Sequence, residues 1–167
     1  MINPILAERA FNYANKKHVI VATDRKLGSG QDGCVFKSSR HTAVKAFERL
    51  ENFENKLICY QRLEAEGIKK LGPFAVPELI GFSGVELVIE MSIVAPPFFL
   101  DFGKVWIDRK PDFSAEALAD KEAECADLYG ERWGEVQFAL AILKRLGIYY
   151  TDVRLGNITF GPDSASG

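Results

Sequence analysis

The spacing of apolar residues switches between helical and strand periods several times along the chain. Asn3 followed by Pro4 predicts a capped helix start, with proline at the first helical position and the helix reaching about Lys17. His18 to Ala22, rich in valine and isoleucine, predicts a strand. A glycine-rich stretch follows, and Cys34 to Lys37 then alternates like a strand until Ser38-Ser39 turns it back into a second one, His41 to Phe47. From Glu51 to Glu66, Phe53, Leu57, Tyr60 and Leu63 fall at helical spacing, and Gly67 stops that helix. Ala75 to Phe82 and Val85 to Met91 predict two strands joined at Ser83-Gly84, and Phe98 to Ile107 predicts another. Ser114 caps a charged helix to Tyr129. A second helix, Glu131 to Leu146, carries Val136, Phe138, Leu140, Ile142 and Leu143 as its apolar stripe and ends at Gly147. Ile148 to Val153 and Ile158 to Phe160 read as short buried strands bracketing a loop, with a frayed tail from Gly161.

Composition narrows the classes without choosing among them. With 167 residues, 47% hydrophobic and 26% charged, the chain suits one soluble domain or two small lobes. A net charge of −2 gives no field to attract nucleic acid or an acidic membrane. The most apolar stretch, Val85 to Leu100, contains Glu86, Glu90 and Pro96-Pro97, which excludes a membrane-spanning helix. The first ten residues lack the basic and apolar regions of a signal peptide, so the expected location is the cytoplasm. Cys34, Cys59 and Cys125 are far apart and read as reduced packing thiols, and no zinc-ligand spacing exists.

Gly28-Ser-Gly-Gln-Asp-Gly33 matches Gly-x-Gly-x-x-Gly. A dinucleotide-binding loop of this form must open a helix. Here a strand follows, and too few residues separate Gly33 from Lys45 for a helix plus a return strand. Strand, glycine loop, strand is the arrangement in which backbone N–H groups fold over ATP phosphates.

The stretch Leu27-Gly-Ser-Gly-Gln-Asp-Gly-Cys-Val35 resembles the glycine loop of the protein kinase-like superfamily, and Ala43-Val-Lys45 is similar to its Val-Ala-Ile-Lys strand. Val85 to Ser92 resembles the strand leading to the kinase hinge. Asp152-Val-Arg-Leu-Gly-Asn157, after a long amphipathic helix, resembles the catalytic loop. The resemblance implies an α+β, two-lobed kinase-like fold of a small, divergent, bacterial-type member. Residues 1–92 would form an amino-terminal antiparallel sheet with one main helix. Residues 93–167 would form a reduced, mostly helical second lobe lacking the usual activation segment.

It further implies ATP and Mg²⁺ as ligands and an unidentified hydroxyl-bearing or protein acceptor, with no nucleic acid and no membrane. Gly28, Gly30 and Gly33 would cover the phosphates and Lys45 would hold them. Leu27, Val35 and Ala43 would sandwich the adenine, with Ile89 behind it and the backbone of Glu90 and Ser92 along its edge. Asp152 would be the base, Asn157 a metal ligand, and Arg154 a cation near the γ-phosphate. All of these would converge on one triphosphate. The function implied is ATP-dependent phosphotransfer to a hydroxyl, with a protein serine or threonine among the acceptors; the alternative is a pseudokinase that binds nucleotide without turnover.

Three departures qualify the resemblance. Lys56 stands where the helix after the lysine strand usually offers a glutamate, so Glu54 or Glu64 would serve only if the helix turned or shifted. Tyr150-Thr151 replaces His-Arg. No Asp-Phe-Gly follows Asn157, whereas a literal Asp101-Phe102-Gly103 precedes the catalytic loop. One expectation is that the strand Phe98 to Ile107 lies beside Ile158 to Phe160 and brings Asp101 in as second metal ligand; the alternatives are a structural role for Asp101, Asp163 as ligand, or no second ligand.

Overall fold

Asn3 caps the first helix as its position predicts: its side-chain oxygen accepts from the N–H of Ile5 at 3.0 Å, and α1 runs Pro4–Lys16. In this computed structural model, which describes residues 1–102 and 104–162, the elements that follow are β1 (Val21–Gly30), β2 (Gly33–Ser38), β3 (Thr42–Phe47) and α2 (Leu50–Ala65). Next come β4 (Lys70–Leu71), β5 (Phe74–Ala75), β6 (Leu79–Ser83), β7 (Val88–Ser92), β8 (Phe98–Phe99) and β9 (Val105–Ile107). The last are α3 (Ala115–Tyr129), capped by Ser114 as expected, α4 (Trp133–Arg145), β10 (Ile148–Tyr150) and β11 (Ile158–Thr159). Gly103, Asp163 and the rest of the tail to Gly167 lie outside the described residues. No described helix is long and apolar enough to cross a membrane.

The chain divides into two compact units. Met1–Glu64 and Pro77–Ile93 form the first; Ala65–Val76 and the residues from Val94 onward form the second. Residues 65–76 therefore leave the segment 1–92 expected to form one lobe. The reason is pairing: β4 and β5 are hairpin partners, and β5 runs parallel to β8. The expected strand Ala75 to Phe82 is accordingly two strands, interrupted at Pro77, which has no N–H to donate to a ladder.

The first unit is a five-stranded antiparallel sheet in the order β1-β2-β3-β7-β6. One face is covered by α1, whose Leu6, Ala10, Tyr13 and Ala14 pack with Phe36, Val44, Ala46 and Val88 into a continuous apolar core. The strand expected over His18 to Ala22 begins only at Val21, because His18 takes a left-handed backbone at φ 55°. It then continues through Gly30, so the polar stretch before the glycines is strand as well.

A polar network lies within this core. Glu90 on β7 is 2% exposed and its carboxylate accepts from the Tyr13 hydroxyl at 2.8 Å and from the Thr42 hydroxyl. With Thr42 donating to Glu90, the adjacent Ser38 hydroxyl donates to Thr42. Burial and the carboxylate beside it push the Tyr13 hydroxyl well above its usual pKa, which keeps it a donor. Glu90→Ala strands two buried hydroxyls and is expected to cost about 3 kcal/mol, lowering Tm by about 6–12 °C in a thermal melt. Glu90→Gln, which keeps an acceptor, should lose less; equal melts for wild type and Glu90→Ala would refute the network's weight.

The second unit holds a sheet in the order β11-β8-β5-β4, the pair β10-β9, and the helices α3 and α4. Val136, Ala139 and Leu143 form the buried stripe of α4, with Leu140 and Ile142 half-buried. Phe138, expected in that stripe, is 59% exposed. Ala139 takes the inward position instead because it is one helical turn from Val136 and from Leu143. The architecture is α+β, with an antiparallel amino-terminal sheet and helices, as the sequence predicts.

Candidate functional site

The register of the first unit aligns the residues that the glycine and lysine motifs single out. Gly28 pairs with Val35, Val35 with Lys45, and Lys45 with Ile89. Directly opposed residues of an antiparallel sheet present their side chains on the same face, and Ala43, two positions before Lys45, shares it. Val35, Ala43, Lys45 and Ile89 thus form one patch on the face opposite the α1 core. Leu27, 53% exposed, sits at an irregularity of the β1–β2 ladder between Lys26 and Gly28. Lys45 is 8% exposed, with its Nζ 5.2 Å from the centre of the Phe47 ring.

The three glycines are there for different reasons. Gly33 has φ 156°, and a Cβ on it would collide with the carbonyl oxygen of Ala46, so the close approach of β2 to β3 requires glycine. A Cβ on Gly28 or Gly30 would meet no atom of the described chain within 4 Å. Neither the packing nor the backbone of the protein itself calls for glycine at those two positions, whereas close approach of a ligand to the backbone would.

Lys56 lies on the inward stripe of α2 with Phe53, Tyr60 and Leu63. Glu54 and Glu64 are both exposed, so the helix has not turned to offer either of them; turning it would bring Phe53 and Leu63 into water. The Nζ of Lys56 is 3.2 Å from Oδ2 of Asp32, at the tip of the glycine turn, and Asn52 Nδ2 donates to Asp32 Oδ1 at 3.0 Å.

Glu90 and Ser92 are held within the sheet. Glu90 pairs with Val44 on one side and Gly81 on the other, so its N–H and C=O face paired strands. Ser92 pairs with Thr42, donates its N–H to Glu78 at 2.9 Å and accepts the Glu78 N–H at its hydroxyl. To serve along a base edge, as expected of them, these two residues would have to give up hydrogen bonds made within the sheet.

In the second unit the loop between β10 and β11 gathers Asp152, Arg154 and Asn157. The backbone turns where Asn157 and Ile158 both donate to the carbonyl of Arg154 at 3.0 Å. Asn157 is buried, and its Nδ2 donates to the Asp152 carbonyl at 3.0 Å and to Asp152 Oδ2 at 3.1 Å. A backbone carbonyl only accepts, which fixes the amide orientation and leaves Oδ1 of Asn157 on the other side. Arg154 Nε lies 3.6 Å from the same carboxylate, with its side chain mostly exposed.

Asp101 reaches the neighbourhood of this loop by the pairing expected for it. Phe99 pairs with Ile158 and Phe98 with Thr159, and the N–H of Leu100 donates to the Asn157 carbonyl at 2.7 Å. The expected single strand Phe98 to Ile107 is instead two, because β9 pairs with β10. The residue that ties these parts together, Tyr150, was not singled out by its chemistry in the sequence. Its ring packs on Phe99 and Phe102 at 4.8 and 6.1 Å, and its hydroxyl donates to the Asp101 carbonyl. Burial first, then the charges of Asp101 and Asp152, push that hydroxyl far above its usual pKa, so it remains a donor. The only signal was position: Tyr150-Thr151 fills the His-Arg slot, and Thr151 likewise anchors its hydroxyl and N–H on the Lys104 carbonyl.

No cluster of three or more His, Cys, Asp or Glu side chains suited to a metal occurs among the described residues. Cys34, Cys59 and Cys125 are free and buried, and burial pushes the Cys59 thiol up to about 12, as suits packing residues.

No known protein family matches the chain, and no curated protein does. Among solved structures, the streptomycin–ATP–APH(2")-IIa ternary complex is similar to it, with 17% identity and a TM-score of 0.41 over 76% of this chain. The alignment spans 39% of that protein's chain.

Proposed function

We propose that the chain binds ATP and transfers its γ-phosphate to a hydroxyl acceptor, a small molecule or a protein serine or threonine. The observation that carries this reading is the register that puts Gly28, Val35, Ala43, Lys45 and Ile89 on one face, beside glycines that the fold itself does not need at positions 28 and 30. An apolar patch flanked by a lysine and open backbone suits a base and its phosphates. In this reading Leu27, Val35 and Ala43 contact the base, Gly28 to Gly33 cover the phosphates, and Lys45 holds them.

Asp152 accepts the hydroxyl proton. Its carboxylate accepts from Asn157 Nδ2 at 3.1 Å, and Arg154 Nε lies 3.6 Å from it. Asn157 and Asp101 offer oxygen ligands, a pair that fits Mg²⁺ with phosphate and water completing its shell. The bound cation would neutralise charge on the transferring phosphate. The hydrogen bond from the Tyr150 hydroxyl to the Asp101 carbonyl supports a place for Asp101 in that pair.

A second reading, nucleotide binding without turnover, is favoured by one observation: the buried helix position beside the lysine strand carries Lys56 instead of a carboxylate. Thermal-shift titration separates the cases. ATP with Mg²⁺ at a hundredfold over its Kd should stabilise wild type by about 2.7 kcal/mol, raising Tm by about 5–10 °C. Lys45→Ala should lose most of that rise. An equal rise in Lys45→Ala, or none in wild type, would remove the nucleotide site from this face.

A further inference from the structure

The charge at position 56 is reversed relative to what the resemblance implies, and its partner is reversed as well. Asp32 sits at the tip of the turn between β1 and β2, and both oxygens of its carboxylate face α2: Lys56 Nζ forms an ion pair with Oδ2 at 3.2 Å, and Asn52 Nδ2 donates to Oδ1 at 3.0 Å. Asn52 and Lys56 are one helical turn apart, so they form a two-point seat on a single helix face. The lysine side chain is only 2% exposed, while that of Asp32 is 23% exposed. Burial makes this pair stiffer and less screened than a surface ion pair. The turn is further tied where the N–H of Glu48 donates to the Asp32 carbonyl at 3.2 Å.

We infer that Lys56 is a positioning residue for the glycine turn: it fastens the turn to α2 through Asp32 and cancels the charge of a carboxylate that would otherwise repel an incoming phosphate. The inference rests on the phosphate-binding reading of this face. A carboxylate is an unfavourable neighbour for a triphosphate, since like charges within a Debye length repel. With Lys56 and Asn52 holding it, the same carboxylate becomes the anchor that fixes where Gly28 to Gly33 present their N–H groups. The structural demand for a cation at position 56 then follows from the acid at position 32.

Two measurements on the intact chain test this, and only one of them involves nucleotide. Amide hydrogen exchange of Gly28 to Gly33 in the ligand-free protein should quicken by about tenfold in Lys56→Met and in Asp32→Asn, and stay near wild type in Lys56→Arg, which keeps the pair. Titration with Mg²⁺–ATP should show Lys56→Met weakened by about tenfold, because Asp32 is left uncompensated, with Asp32→Asn/Lys56→Met recovering most of the loss. Simple damage to the fold would make the double variant at least as weak as the single one, so that order would overturn charge cancellation. Unchanged exchange in both single variants would overturn the fastening. If wild type binds no ATP, the proposed function fails and charge cancellation with it, while the exchange rates still decide whether Lys56 holds the turn.

Discussion

Asp152→Asn is expected to lower γ-phosphate transfer by about 10²–10⁴-fold while leaving Mg²⁺–ATP stabilisation of the protein largely in place. The substitution is nearly isosteric, and its remaining oxygen can still accept from Asn157, so the loop that turns on the Arg154 carbonyl should keep its shape. What disappears is the proton acceptor. Radiolabelled transfer from ATP to an acceptor, or ATP hydrolysis where the acceptor is unknown, reads the effect directly. Transfer at the wild-type rate in this variant would remove Asp152 as base. Binding in wild type with no transfer under any condition would favour the reading without turnover.

Gly33→Val should destabilise the first unit by about 4 kcal/mol or more, among the largest effects for a single substitution. The new Cβ would be driven into the Ala46 carbonyl oxygen and within 3.0 Å of its carbon. Those atoms belong to β3, where Ala46 pairs with both Cys34 and Val88, so they cannot retreat without breaking two ladders. Gly28→Ala and Gly30→Ala meet no such obstacle and should change Tm little, or raise it slightly by restricting the unfolded chain. Their cost should appear in ATP affinity. Thermal melts with and without nucleotide distinguish the two kinds of glycine; a stable Gly33→Val would contradict the register described for β2 and β3.

The parts of this architecture that were legible in the sequence are those where local chemistry and tertiary packing agree. Asn3-Pro4 and Ser114 mark helix starts and do cap them. The alternation from Cys34 to Phe47 gives a hairpin whose register places Val35 opposite Lys45. Phe53, Tyr60 and Leu63 mark the buried side of α2, and the absence of a glutamate on that side was also readable.

Other features depend on partners distant in the chain. The polar segment Thr23 to Gly30 has no apolar alternation, yet it is strand because β2 supplies its hydrogen bonds. Residues 65–76 look contiguous with the first unit, and contacts distant in the chain, the pairing of β5 with β8 and the packing of Phe74 on Phe160, assign them elsewhere. Lys56 was visible as an anomaly, but its acidic counterpart lies on a loop whose height above α2 no periodicity encodes. Tyr150 was legible only as the occupant of the His-Arg slot; its hydroxyl finds the Asp101 carbonyl only when β8 lies beside β11.

That sideways junction has a bearing on how the second unit comes into being. Tyr150 and Asp101 are 49 residues apart, and α3 and α4 are synthesised between them. The helices can form from local contacts as they leave the ribosome, but β8 has no antiparallel neighbour until β11 emerges. Asp101 and Asn157 therefore gain their relative placement only once β11 has been made, rather than progressively. A nascent chain halted after α4 would carry well-formed helices and an unclosed strand edge, a species suited to chaperone capture rather than chemistry.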